Sequence, residues 1–407
     1  MKIPELLSPA GDPEKLNKAI LYGADAVYLA GTRFGMRAAA SNFSDNQLSE
    51  AVRFCHERGK KVYVTCNTIP NPEEIALLPS FLCYLEEINA DAIIAADLGV
   101  ISLCKKYAPS VDLHVSTQAG VMNARTADAF CSLGARRVVL ARELSLEEIK
   151  RIRKDASSEL EIEVFCHGSM CVSFSGRCLL SKYMTGRDAN SGDCTQPCRW
   201  KYHLVEEKRP GQYFEISEDN GTYIMNSKDL CTLPILRELI ETGIDSLKIE
   251  GRTKSSYYTS SVTAAYRHVM NAISRGDPIP ESWLNEVEMV NHRPYSTGFY
   301  LDSPEQYTNN SAYISQCDVV GTVDKIDKDG NAVVIQKNRF FTGDEVNVLS
   351  PDDNEAVFKI GKMLDENGVE IECANHAGML LRMNIPAGIA PGAFLRKRRI
   401  DQKIKNT

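Results

Sequence analysis

The run Ala19-Ile-Leu-Tyr-Gly23-Ala24-Asp-Ala-Val-Tyr-Leu29 joins the end of an amphipathic helix, through a turn, to a short β-branched strand. The same unit recurs at Tyr84–Ala90 leading into Asp91–Ala95, at Phe130–Gly134 into Ala135–Leu140, and at Leu239–Gly243 into Ile244–Ile249. Glycine closes three of these four helices, where the left-handed C′ position favours it. Short apolar strands alternating with helices imply a parallel sheet covered on its faces. The pattern predicts strands at Leu6–Ser8, Ala24–Leu29, Lys61–Cys66, Asp91–Ala96, Asp112–Ser116, Arg136–Ala141, Glu161–Cys166 and Ile244–Ile249. Helices are expected from near Asp12, Ser44, Asn71, Asp97, Asn123 and Ser145, with Ser145-Leu-Glu-Glu148 a capping box. A final helix is expected over about Ser255 to Ser274. Eight such units make a (β/α)8 TIM-like barrel. A doubly wound sheet is the alternative, but no Gly-x-Gly-x-x-Gly turn supports it.

In that register the seventh βα loop is enlarged, from Cys166 to about Ser227, and carries Cys171, Cys178, Cys194 and Cys198 in a C-x6-C-x15-C-x3-C spacing. Zinc sites usually pair two short C-x(2–4)-C knuckles, and only Cys194/Cys198 resembles one. Four thiols at longer intervals suit an iron–sulfur cluster, which needs four cysteines but no fixed spacing; a [4Fe-4S] centre is expected, with Cys231 the alternative fourth ligand. Cys55, Cys66, Cys83, Cys104 and Cys131 sit within apolar patterns and read as ordinary small hydrophobes. Barrel active sites lie at the carboxyl ends of the strands. That rule gathers Asn67, Asp97, Gln118, Arg142, Glu143, His167, Glu250 and Arg252 at one mouth, with His167, Glu250 and Asp97 the catalytic candidates.

The chain has 407 residues, 43% hydrophobic and 25% charged, as in an ordinary soluble protein. No apolar run approaches the ~20 residues that span a bilayer, and Met1–Glu5 opens no signal-peptide core, so a cytoplasmic location is expected. Thirteen cysteines then point to thiols or metal ligands rather than disulfides. A net charge of −7 does not advertise nucleic-acid binding, which follows local basic patches instead. The clearest patch is Arg396-Lys-Arg-Arg399, expected as a solvated basic tail or an RNA contact, with Lys337 and Arg339 further candidates. Residues 1–290 are expected to form the barrel with its cysteine-rich insert at 166–227, and 291–315 a linker. Residues 316–400 should form a small antiparallel β-barrel, followed by a basic tail at 401–407. Short strands at Val319–Lys325, Ala332–Gln336, Glu345–Leu349, Ala356–Ile360, Val369–Cys373 and Met379–Asn384 carry that second expectation.

The run His167-Gly-Ser-Met-Cys171-x3-Ser175-Gly-Arg-Cys178-x2-Ser181 resembles the signature of the collagenase-like peptidases of unclassified catalytic type, peptidase family U32. Glu5–Gly11, Gly23–Tyr28, Asn226–Leu230 and Ser246–Arg252 are similar to that family too, so the resemblance runs to about residue 300. Within the family the chain looks closest to the bacterial prephenate-dependent hydroxylases of the tRNA wobble uridine. The resemblance implies carbon-5 hydroxylation of that base in the anticodon loop, with prephenate as a required small molecule. Arg142, Arg177 and Arg252, with Arg33 and Arg37 behind them, are the guanidinium candidates for its two carboxylates. Phe174, Tyr183 and Trp200 could stack on a splayed base. A peptidase, an rRNA hydroxylase and a non-catalytic cluster scaffold are the alternatives. No Gly-x-Ser-x-Gly elbow or His-Glu-x-x-His helix supports hydrolysis, and Ser169 and Ser175 near His167 make only a weak case for a triad.

Overall fold

A computed structural model describes residues 2–36, 41–171, 173–200, 203–204, 214–215, 227–301, 313–328, 330–352 and 356–399. Arg37 and the 401–407 tail lie outside them.

Eight parallel strands close into a barrel: β1 Glu5–Pro9, β2 Ala26–Leu29, β3 Lys61–Cys66, β4 Ala92–Ala95, β5 Asp112–Val115, β6 Ala135–Val139, β7 Glu161–Ser169 and β8 Ser246–Ile249. Each pairs with the next, and β8 closes the ring by pairing with both β1 and β7. The helices form where their caps predict. Asp12, Ser44, Asn71, Asn123 and Ser145 each accept a backbone N–H of the first turn, and capping boxes complete the starts at Ser44, Asn71 and Ser145. Helix Ser256–Arg275 packs along β1, using its Thr263 hydroxyl to bond Ser8 at 2.8 Å.

The large apolar core lies between strands and helices. The barrel interior is smaller and mixed. Leu7, Ala26, Tyr28, Tyr63, Ala92 and Ile94 fill part of it. A buried charge network crosses the rest: Arg137 pairs with Glu5 at 2.7 Å and with Glu163 at 3.0 Å, while Lys248 holds the other Glu163 oxygen at 3.0 Å. Opposite charges from four of the strands thus satisfy one another inside the barrel.

The second domain is an eight-stranded, all-antiparallel sheet around its own apolar core, running in the order 357–359, 345–349, 394–398, 317–326, 332–336, 380–383, 363–364, 370–371. Two strands of this sheet escaped the sequence reading, the short Met363–Leu364 and the longer Phe394–Arg398. Phe394–Arg398 sits in the middle of this sheet, paired to Cys317–Ile326 on one side and Glu345–Leu349 on the other. The basic run is therefore not a solvated tail. Arg396 is buried, Lys397 bonds Asp344 at 2.6 Å, and Arg399 bonds Asp318 at 2.7 Å. The sheet docks on the barrel through Tyr22, which donates to Leu349 O, and through Lys18, which donates to Gly392 O at 2.6 Å. Among the described residues no helix is long and apolar enough to cross a membrane.

Candidate active site

A cavity of about 920 Å³ opens at the carboxyl ends of the strands, walled by the barrel mouth, the cysteine insert and residues from the central strands of the C-terminal sheet. Its floor carries Tyr28, Ile94, Phe165 and Lys248. The Lys248 ammonium lies 4.5 Å from the Tyr28 ring centre and 5.6 Å from that of Phe165, which shields it from water on two sides.

Six of the eight residues expected at the mouth line this cavity: Asn67, Gln118, Arg142, Glu143, Glu250 and Arg252. Asn67 donates to Gln118 Oε1 at 2.7 Å. Arg142 stacks on the Phe165 face at 3.7 Å and donates to Ser169 O. Arg252 is buried, held by Thr65 at 3.0 Å and Asn42 at 2.8 Å. Glu250 accepts from the Tyr28 hydroxyl at 3.4 Å.

Asp97 and His167 are elsewhere. Asp97 caps helix Leu98–Tyr107, accepting from Gly99 N at 2.8 Å and Val100 N at 3.1 Å. His167 has the right parity to follow Glu163 and Phe165 into the barrel, but the register slips there: Lys248 pairs with Phe165 and Ile249 with His167. That extra residue is a β-bulge, and it turns the next side chain to the other face. Gly168 makes the irregularity possible, at φ +112° and so close to Glu250 that a Cβ would stand 2.4 Å from its carbonyl oxygen. His167 consequently sits buried among Tyr258, Tyr266 and Tyr295, with the last two hydroxyls 3.5 Å from its ring nitrogens. Burial, then the charges of His292 and Lys254, push its pKa down to about 3.

The insert is held by short polar contacts rather than by a core. Asn190 exchanges hydrogen bonds with the Cys178 backbone, Ser181 binds Thr195, and Arg187 binds Asp193. Ser175 adopts a left-handed φ of 47°, and Glu143 holds it there by accepting from both its N–H and its hydroxyl. Gly192, at φ +89°, presses against the loop of Gly35 and Met36, where a Cβ would lie 2.9 Å from Gly35 O.

Cys171, Cys178, Cys194 and Cys198 all line the one cavity. The Cys198 thiol is raised in pKa by burial first, then by the neighbouring Cys171, Cys194 and Cys178 despite the opposing pull of Arg199. Two of the sulfurs accept backbone hydrogen bonds from the residue two positions on: Leu180 N to Cys178 at 3.3 Å and Gln196 N to Cys194 at 3.4 Å. Among the described residues no three His, Cys, Asp or Glu side chains converge closely enough to hold a metal ion, so the four thiols share a wall without forming a closed cage. Cys231 is not on that wall. It lies buried in a short strand, Asp229–Cys231, beside Tyr266, and burial pushes its thiol up to about 11.

Arg177 is exposed and outside the cavity wall, as is Arg33, which lies over Phe34. Phe174, Tyr183 and Trp200 are all substantially exposed. Lys337 reaches the cavity from the C-terminal sheet, whereas Arg339 lies over Phe341 away from it. Lys248 was not singled out from the sequence, although its place one residue before the end of an apolar strand is a signal for a buried charge. The C-terminal sheet's share in the wall could not be read, since it depends on how two domains dock.

The family model for peptidase family U32 matches residues 11–310, and that for the peptidase family U32 C-terminal domain matches residues 315–396. The chain is 38% identical over 404 residues to "tRNA hydroxylation protein P1" of Bacillus subtilis, covering 97% of this chain and 95% of that protein. It is 34% identical over 434 residues to "tRNA hydroxylation protein P" of Haemophilus influenzae, covering 95% and 94%. An "uncharacterized protease" of Methanocaldococcus jannaschii is 41% identical over 306 residues, 74% of each chain. With both models matched and these relatives aligned along nearly its whole length, the chain belongs to peptidase family U32.

Proposed function

We propose that this protein is a tRNA hydroxylase that acts at carbon 5 of the wobble uridine, with an iron–sulfur cluster held by Cys171, Cys178, Cys194 and Cys198. The observation that carries this reading is that all four thiols line the same cavity as Glu250, Arg142 and Arg252, in a chain similar end to end to proteins named for tRNA hydroxylation. The donor set suits the group. It is all sulfur, two of its members already receive N–H···S hydrogen bonds, and such bonds stabilise thiolates and tune a cluster's potential. When bound, the cluster supplies electron transfer or Lewis acidity that no side chain here offers.

The chain's own residues supply orientation and charge. Arg142 and Arg252 set guanidinium groups on the cavity wall, where the two carboxylates of prephenate would meet them; Arg177 is exposed and does not line that wall, which leaves the role to these two. Glu250 is the one member of the original catalytic trio on the wall, and it accepts the Tyr28 hydroxyl. It is the group to hold or move a proton on a bound base. A wobble base lies in a single-stranded loop and can enter such a cavity without the cost of opening a duplex.

The hydrolase reading has less support. Ser175 donates to Glu143, and His167 contacts tyrosines below the floor, so among the described residues no serine is paired with it as a general base. The test is mass spectrometry of digested tRNA from wild-type cells, deletion cells and cells unable to make prephenate. Loss of 5-hydroxyuridine derivatives in the last two supports the proposal. Their persistence in deletion cells with no redundant pathway overturns it.

A further inference from the structure

Four separate segments bring cations and one aromatic ring together at the seam between barrel mouth and C-terminal sheet. Arg199 comes from the cysteine insert, Lys254 from the turn after β8, Arg293 from the segment following the barrel, and Tyr313 from just before the C-terminal domain. The Lys254 ammonium is 4.4 Å from the Tyr313 ring centre and the Arg293 guanidinium carbon 5.1 Å from it. Arg199 Nη1 donates to the Tyr313 hydroxyl at 3.5 Å. Arg199, Lys254 and Tyr313 all line the cavity.

Among the described residues none of the three cations is ion-paired with a carboxylate. Arg199 otherwise bonds Gln196, and Lys254 bonds the Asn291 carbonyl. Arg293 is the most exposed to this imbalance. It is 97% buried, and among the described residues its Nε and Nη1 have no hydrogen-bond partner. Burial, and next the charge of Arg199, pull its pKa down. A buried guanidinium with unmade hydrogen bonds is costly, and three like charges about one ring add repulsion. An anion placed among them relieves both.

The surroundings say which anion. Tyr313, on the cavity wall among the cations, is 45% exposed, and Trp200, next in sequence to Arg199, is 45% exposed as well. Cations that follow a backbone, interleaved with aromatic faces on which bases stack, are the arrangement that holds single-stranded nucleic acid. A phosphodiester crossing the rim here would leave the neighbouring base free to turn into the cavity.

We propose that Arg199, Lys254 and Arg293, gathered around Tyr313, form a phosphate-binding station for the RNA substrate. The inference rests on the tRNA reading above and adds where the backbone is gripped.

The test measures binding of a fluorescein-labelled anticodon stem–loop by anisotropy across a salt series. It compares the wild type with Arg199→Gln, Lys254→Gln, the double variant and, as control, Lys105→Gln on the outer helix ring. Arg199 and Lys254 are partly exposed, so their neutral variants should fold, and unchanged thermal melting checks this. Each is expected to raise Kd roughly threefold or more and to lower the slope of log Kd against log salt by about 0.7–0.9, the share of one phosphate contact. Lys105→Gln should change neither. Wild-type affinity and slope in both rim variants would overturn the station, as would a loss confined to binding of a small dicarboxylate such as malonate. Failure of the wild type to bind RNA at all would sink the tRNA reading itself, whereas wild-type binding with unaltered variants sinks only this site.

Discussion

Arg396, at the centre of the C-terminal sheet, donates to Glu286 of the barrel domain at 2.5 Å, and both side chains are nearly inaccessible to water. Tyr257 accepts from the same guanidinium at 3.1 Å, and Ser261 donates to the same carboxylate oxygen at 2.6 Å. This buried pair is a main polar tie between the two domains, and it removes Arg396 from any role in gripping RNA. Arg396→Ala should destabilise the protein by roughly 3–5 kcal/mol, because it strands a buried carboxylate. Denaturant unfolding measures the loss. The salt slope for RNA binding to the folded fraction should not move; a drop of about one would return Arg396 to the RNA interface.

The barrel was legible because its strands are continuous β-branched runs such as Lys61–Cys66, whose ends match the structure residue for residue. The cysteine wall was legible because a long thiol-rich insert after the seventh strand must emerge at the carboxyl end of the barrel. His167 was misread for a local reason. Strand parity predicts its direction, and a single bulged residue reverses it. Arg396 was misread because four adjacent basic residues hide the alternation that Phe394 and Leu395 begin. The cations around Tyr313 had no signature at all, since Arg199 and Tyr313 are 114 positions apart and meet only when the insert and the segment before the C-terminal domain fold over the barrel mouth.

The buried histidine gives acid sensitivity. His167 has a folded pKa near 3, against about 6.5 unfolded. Below 6.5 the unfolded chain takes up a proton that the folded chain refuses, so stability falls as pH drops from 6.5 towards 3. The slope from this group is about 1.4 kcal/mol per pH unit. His167→Phe keeps an aromatic ring in the tyrosine nest but cannot titrate. Its stability, measured by urea unfolding at several pH values between 7 and 5, should therefore lose less on acidification than the wild type. Parallel curves would show that His167 takes up its proton equally well in the folded and the unfolded chain.

The thiols divide by position. Protein purified without oxygen should carry iron and acid-labile sulfide, and Cys171→Ser, Cys178→Ser, Cys194→Ser and Cys198→Ser should each lose most of both. Cys231→Ala should retain them, because that sulfur lies buried off the cavity wall beside Tyr266. Elemental analysis and the visible absorption spectrum read the result. Retention in the Cys198 variant with loss in the Cys231 variant would exchange the two roles.

The floor of the cavity offers a sharper separation between bracing and binding. Glu163 is wholly buried, with Lys248 on one oxygen and Arg137 on the other. Burial opposes its charge, yet Lys248 and then Arg137 hold its carboxyl below the ordinary range, so the charged form persists. Lys248→Met leaves that carboxylate with one cation instead of two and should cost about 3–5 kcal/mol. Glu163→Gln removes the charge that Lys248 was answering, so the double variant Glu163→Gln/Lys248→Met should be destabilised by clearly less than the two single costs added together. Denaturant unfolding of the four proteins gives the cycle. Strict additivity would mean that Lys248 and Glu163 do not brace one another, and the lysine would then have to be explained by what it meets in the cavity above it.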